Sequence, residues 1–375
     1  MKHEERLLIT LLKVRLGIEE EDKVNKLLRS NSTDWGYFFN LVIHHKLPSF
    51  LYHQIIDSKL PVSRKWISLL EINYLGTKQK NQERESFLTP IIQDLYSKNI
   101  ICTPIKGAAL NLLVYGDLGL RQSNDYDLLI QEKDIPKVTK VIEDYGFIQS
   151  NKIENGVPLP ATRFEKTFYR LSTHEVVPFL KKGDLFNNFF EIDVQFDIFS
   201  HAENLPVDFP LENLFNNLET INNDKGKFFI LKPEHNLLQL CSHIFQDNTM
   251  LQNIIKGKDH ILRDFVDIYE LINKYTIDWD NFSNEVKSDP WVQKIVYYVL
   301  FHTEEIFGNF IPQDFIRKIK PECTKYVDEY GFEEGKSSQW TNEFVDRLFE
   351  LDVSIEEQSE NFKSNKYFNM FSKYK

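Results

Sequence analysis

The spacing of apolar residues changes twice along this 375-residue chain. Up to about residue 98 they fall at mixed three- and four-residue intervals, as in Trp35 to Ile56, which predicts helices throughout. Pro61 and Pro90 are expected near helix starts, where a missing N–H costs little, and a helix should end near Lys98 and Asn99. From residue 100 the pattern shortens. Ile100 to Ile105 is apolar and rich in β-branched residues, hence a strand ended by Lys106 and Gly107. Ala108 to Tyr115 predicts a short helix stopped by Gly116, and Asp125 to Ile130 a second strand after the turn-rich stretch 116–124. Asp134 is placed to cap a helix whose Ile135, Val138, Val141, Ile142 and Tyr145 share one face and which Gly146 closes.

Residues 163 to 200 predict a pair of strands. In the second, Phe190, Ile192, Val194, Phe196 and Ile198 alternate with Glu191, Asp193, Gln195 and Asp197. One face is apolar and the other carries carboxylates. From about 230 the helical period returns, over 234–245, 259–275 and 291–307, and the acidic stretch from Glu343 to Glu360 predicts a solvated helix or a mobile tail. No repeat or low-complexity linker interrupts the chain. The fold class is therefore α+β. A small mixed sheet occupies an α/β core at 99–228, between an N-terminal helical region at 1–98 and a C-terminal helical region with an acidic tail at 229–375.

Composition narrows the function. A net charge of −11 excludes broad, nonspecific nucleic-acid binding, which needs a basic surface, but leaves room for a small basic pocket. The 30 Phe and 16 Tyr are enough for a sizeable core. Cys102, Cys241 and Cys323 stand apart, with no zinc spacing and no disulfide expected. Lys13 and Arg15 interrupt the apolar run Leu7 to Leu12 too soon for a signal peptide, and no stretch is long enough to span a membrane. The expectation is a cytoplasmic protein with no membrane partner.

The chemistry concentrates in Lys106-Gly107-Ala108-Ala109-Leu110 and in Arg121-Gln122-Ser123-Asn124-Asp125-Tyr126-Asp127. Two aspartates one residue apart on an extended chain point the same way, so Asp125 and Asp127 can share hard cations such as Mg²⁺ or Mn²⁺. A third carboxylate from another strand would complete the site. Asp193, in mid-strand, is the candidate and Glu191 the alternative. Lys106, the backbone amide of Gly107, Arg121 and Ser123 are the candidate phosphate ligands. His44 and His45 are expected to pack between helices, and no third ligand joins His235 and His243. Asp264 and Asp267 suit either the cleft or bonding between helices.

These residues together resemble the polymerase-β-type nucleotidyltransferase superfamily, and more narrowly the bacterial uncharacterised nucleotidyltransferase family. The likeness covers roughly residues 30 to 285, including Trp35 with His44-His45-Lys46-Leu47-Pro48, Pro233-Glu234-His235 leading to His243, and Leu262 to Ile268. It implies a nucleotidyltransferase core flanked by helical regions. It also implies Mg²⁺-dependent transfer of a nucleoside monophosphate from an NTP to a hydroxyl-type acceptor: a small molecule, a peptide or protein, or RNA. Asp125, Asp127 and Asp193 would hold metal and act catalytically, and a tRNA acceptor is not excluded. Two departures stand out. Lys106-Gly107-Ala108 replaces the Gly-Ser of many superfamily members, and Gln195 stands where the third acidic strand often has histidine. The alternatives are an inactive binding module on this fold and a toxin-like enzyme that modifies tRNA or protein.

Overall fold

The computed structural model describes residues 1–183, 185–200, 207–333 and 336–350. The N-terminal stretch forms α1 (His3–Arg15), α2 (Asp22–Ser30), α3 (Trp35–His44), α4 (Pro48–Asp57) and α5 (Arg64–Ser97). Pro90 lies inside α5 rather than at a helix start. The lost backbone bond costs on the order of 3 kcal/mol. Leu88, Ile91, Ile92 and Leu95, all buried, hold the helix together across it. Asn99, at a φ of 59°, ends this segment where expected.

The sheet follows. Next along the chain are β1 (Cys102–Pro104), α6 (Lys106–Leu110), which continues as a π-helical turn (Asn111–Tyr115), and β2 (Tyr126–Ile130). Then come α7 (Ile135–Asp144), β3 (Ile148–Gln149), β4 (Lys152–Glu154), β5 (Val157–Leu159), α8 (Arg163–Ser172), β6 (Phe179–Lys182) and β7 (Phe189–Gln195). Asp134 precedes α7 but makes no side-chain cap, because a 3-10 turn, Glu132–Asp134, feeds the helix. The pair of strands expected over 163–200 is corrected at its start, where α8 is a helix. Thr162 Oγ1 accepts from the Glu165 amide at 3.2 Å while Glu165 accepts from the Thr162 amide at 2.7 Å, a reciprocal cap that outweighs the weak strand pattern.

Five strands form one mixed sheet in the order β1-β2-β7-β6-β3. Only β2 and β7 run parallel, and their register sets Asp127 beside Asp193. Side chains alternate along a strand, so in-register parallel neighbours share faces. Tyr126, Leu128, Ile192 and Val194 are buried on one face, where Phe87 of α5 stacks on Phe190 with ring centroids 4.7 Å apart. Asp127, Glu191, Asp193 and Gln195 occupy the other face.

Beyond the sheet come α9 (Glu212–Asn216), β8 (Glu219–Asn223), β9 (Gly226–Ile230), α10 (Pro233–Thr249), α11 (Leu251–Ile255) and α12 (Leu262–Lys274). The chain continues through α13 (Trp279–Val286), α14 (Pro290–Phe307) and α15 (Gln313–Ile319). A hairpin that the helical reading missed, β10 (Glu329–Glu333) with β11 (Lys336–Gln339), leads to α16 (Phe344–Arg347). The acidic stretch is not solvated at its start, since Phe344, Leu348 and Phe349 are buried. Its residues 351–360 lie outside the described residues. A continuous apolar core links the N-terminal helices, the sheet and the C-terminal helices. Among the described residues no helix is long and apolar enough to cross a membrane.

Candidate active site

The carboxylate face of the sheet is built by topology. Asp127 is the second residue of β2 and is 2% exposed. Asp193 lies level with it on β7. Asp125, one residue before β2, and Glu191 are half-buried toward the open end. A fifth carboxylate, Glu175, joins them through an antiparallel bridge to Gln195. Thr173 Oγ1 helps hold that segment by donating to the Glu175 carbonyl at 2.9 Å.

Packing acids together in one place perturbs Asp127, Asp193, Glu175 and Glu191. Burial pushes Asp127 up to about 7, against the opposing pull of Lys106. Burial, then Glu175 and Asp127, raise Asp193 well above the usual carboxylate range. Burial also raises Glu175 and Glu191. The compensating charge is Lys106, whose Nζ lies 2.8 Å from Asp127 Oδ1. Burial works against that ammonium, but Asp127 overcomes it and raises the lysine's pKa. Lys106 sits at the strand-to-helix junction with a left-handed φ of 49°. That conformation costs a non-glycine residue roughly 1–3 kcal/mol. Gln195 Nε2 adds a hydrogen bond to the same Asp127 oxygen at 3.2 Å.

Asp193 Oδ1 is buried and accepts no hydrogen bond. An orphaned carboxylate oxygen beside two further aspartates suits a hard divalent cation. Among the described residues, no three Asp, Glu, His or Cys side chains stand close enough to form a ready-made metal cluster. Lys106 supplies the positive charge against Asp127 instead.

The candidate phosphate ligands also converge. A Cβ on Gly107 would lie 2.3 Å from Arg121 Nη1 and 2.6 Å from Ser123 Oγ, so only glycine fits at this contact. Arg121, however, is 7% exposed and anchored. Its Nε and Nη2 donate to Asp267 Oδ2 at 2.9 and 2.8 Å, which binds the loop before β2 to α12. The sequence offers Arg121 as a phosphate ligand, and in the structure its guanidinium is held by Asp267. Asp267 serves as a bond between elements, and Asp264 pairs with Arg263 at 2.6 Å. The loop is gripped from α5 as well. Asn81 Nδ2 donates to the Leu118 and Arg121 carbonyls at 2.8 and 2.9 Å, and Arg84 donates to the Ser123 carbonyl.

Opposite the carboxylates stand groups that sequence reasoning did not assign to the site. His243 of α10 lies 3.6 Å from Asp247. Burial, then Lys106, Lys258, Arg263 and Arg121, keep its imidazole neutral. Asp247 is pushed up to about 6 by burial, with Lys258, Asp264, Lys106 and Lys46 around it. No spacing in the sequence links Asp247 to Asp127; the packing of α10 against α6 brings their elements together. His235, by contrast, points away and bonds Glu285 at 3.2 Å. His45 is fully buried, its Nδ1 accepting from the Leu262 amide at 3.3 Å. A separate groove of about 390 Å³, lined by Asn151, Lys152, Leu159, Pro160 and Phe164, opens beside α8 and holds none of these groups.

The model of the uncharacterised nucleotidyltransferase family matches residues 31–308. No functionally curated protein matches the chain. A crystal structure of an antigenic nucleotidyltransferase-like protein from Paracoccidioides brasiliensis is similar over 61% of this chain and 98% of its own, at 16% identity and a TM-score of 0.30.

Proposed function

We propose that this chain, which belongs to the uncharacterised nucleotidyltransferase family, transfers a nucleoside monophosphate from an NTP to a hydroxyl-type acceptor in a metal-dependent reaction. The observation that carries this reading is the parallel register that puts Asp127 beside Asp193, with one oxygen of Asp193 left without a donor. Asp125, Asp127 and Asp193 would hold Mg²⁺ or Mn²⁺. When bound, the metal would neutralise charge on the phosphates and on the departing pyrophosphate. Asp193 would orient the acceptor hydroxyl and take its proton. The hydroxyl oxygen forms a bond to the α-phosphorus, and the bond from that phosphorus to the α–β bridging oxygen breaks. Pyrophosphate leaves with that electron pair. The raised basicity of Asp193, caused by burial and by Glu175, suits proton acceptance. Gly107 leaves room for the side chains of Arg121 and Ser123 beside the start of α6.

The test is pyrophosphate release with each NTP and Mg²⁺ across hydroxyl, peptide and RNA acceptors. The expected result is release by the native chain and a fall of at least about 100-fold in Asp193→Asn, on the scale of losing a group that acts in the transition state. A second reading has one observation in its favour. Lys106 already neutralises Asp127 at 2.8 Å, which also suits a module that binds nucleotide without chemistry. That module would bind NTP and release no pyrophosphate with any acceptor.

A further inference from the structure

With Arg121 committed to Asp267, the cations that would meet a polyphosphate must be sought elsewhere, and Lys46 is unusual in two respects. It sits just past α3, where its amide donates to the Ile43 carbonyl at 3.0 Å and the Leu47 amide to the Val42 carbonyl at 3.0 Å. Its φ is 58°, in the helix-terminating position where glycine is usual. A side chain there costs on the order of 1 kcal/mol. In addition, its half-buried ammonium has no hydrogen-bond or ion-pair partner among the described residues. Burial and the neighbouring Arg263 both push its pKa down, while Asp264 and Asp247 offset this only in part. Asp264 is already taken by Arg263 at 2.6 Å, and Asp247 Oδ1 accepts from Asn253 at 3.1 Å. A half-buried, unpaired charge on a disfavoured backbone is a net cost to the fold.

Lys258 reaches the same space from the segment before α12. It is exposed, and its charge is felt on both sides. It acts on Glu175 and Glu191 of the sheet, and on Lys46, His243 and Asp247 of the facing helices. We propose that Lys46 and Lys258 form the seat for the polyphosphate tail of the nucleotide, across from Asp127 and Asp193. This rests on the transferase reading above. A chain of phosphates lying between the two walls would give Lys46 the anion that the protein alone does not supply.

The experiment is calorimetric titration with two probes, inorganic tripolyphosphate and a non-hydrolysable ATP analogue with Mg²⁺, together with thermal melts. Lys46→Gly should melt at or above the native chain and bind both probes at least tenfold more weakly. Lys258→Gln should also weaken both. Lys59, exposed and with a similar φ of 48°, is the control. Lys59→Gly should match or exceed the native melting temperature with binding unchanged. If Lys46→Gly binds both probes like the native chain, or melts well below it, the seat is wrong while the transferase reading stands. If the native chain binds neither probe, both fall.

Discussion

Asp127 and Asp193 are neighbours that cannot both ionise cheaply, and burial raises the pKa of each. The stability consequence has a definite sign. Asp127 titrates near 7 when folded, above the usual aspartate value. The fold therefore binds a proton that the unfolded chain releases, and the stabilisation is full at low pH and lost as pH rises through about 7. Without metal, the melting temperature should fall from about pH 4 to about pH 7 and level off above it, and Asp127→Asn should flatten that fall. A metal ion needs the deprotonated carboxylates, so Mn²⁺ affinity should rise over the same interval. Calorimetry in buffers of different ionisation enthalpy reads the proton release directly. No proton release at pH 6 would contradict the raised pKa.

At the scale of elements, the site depends on how α5 and α6 hold the loop before β2. Asn81, buried on the inner side of α5, spans two loop carbonyls. Asn81→Ala should cost about 1–3 kcal/mol, the price of leaving such carbonyls unpaired, in chemical denaturation. Gly107→Ala should lower both stability and nucleotide binding, because the added methyl meets Arg121 Nη1 and Ser123 Oγ and strains the Arg121–Asp267 pair. Much of this was legible in the sequence. Alternation over Phe190 to Ile198 gave β7 and its acidic face, and the aspartate pair with its apolar follow-on gave β2. What was not legible was set by tertiary contact. Glu175 enters through a single bridge to Gln195, which no local period announces. Pro90 stays helical because buried neighbours on both sides outweigh its lost bond. Residues 163–172 form a helix because a cap at Thr162 and Glu165 overrides a weak alternating pattern.

At the scale of the whole molecule, Arg121 and Asp267 join the loop before β2 to the C-terminal helices through a buried pair, with Tyr115 donating to the same carboxylate. Breaking such a pair strands a buried charge. Asp267→Ala should destabilise by about 3–5 kcal/mol, and a double-mutant cycle with Arg121→Met should recover part of that loss. The sequence offered both residues but not their partnership, since 146 positions separate them. The most direct test of the central claim is anomalous diffraction from crystals soaked with Mn²⁺ and a non-hydrolysable NTP. The predicted result is a manganese peak within about 2.2 Å of carboxylate oxygens of both Asp127 and Asp193, with Lys106 drawn away from Asp127. A well-ordered nucleotide with no metal between those two strands would contradict it.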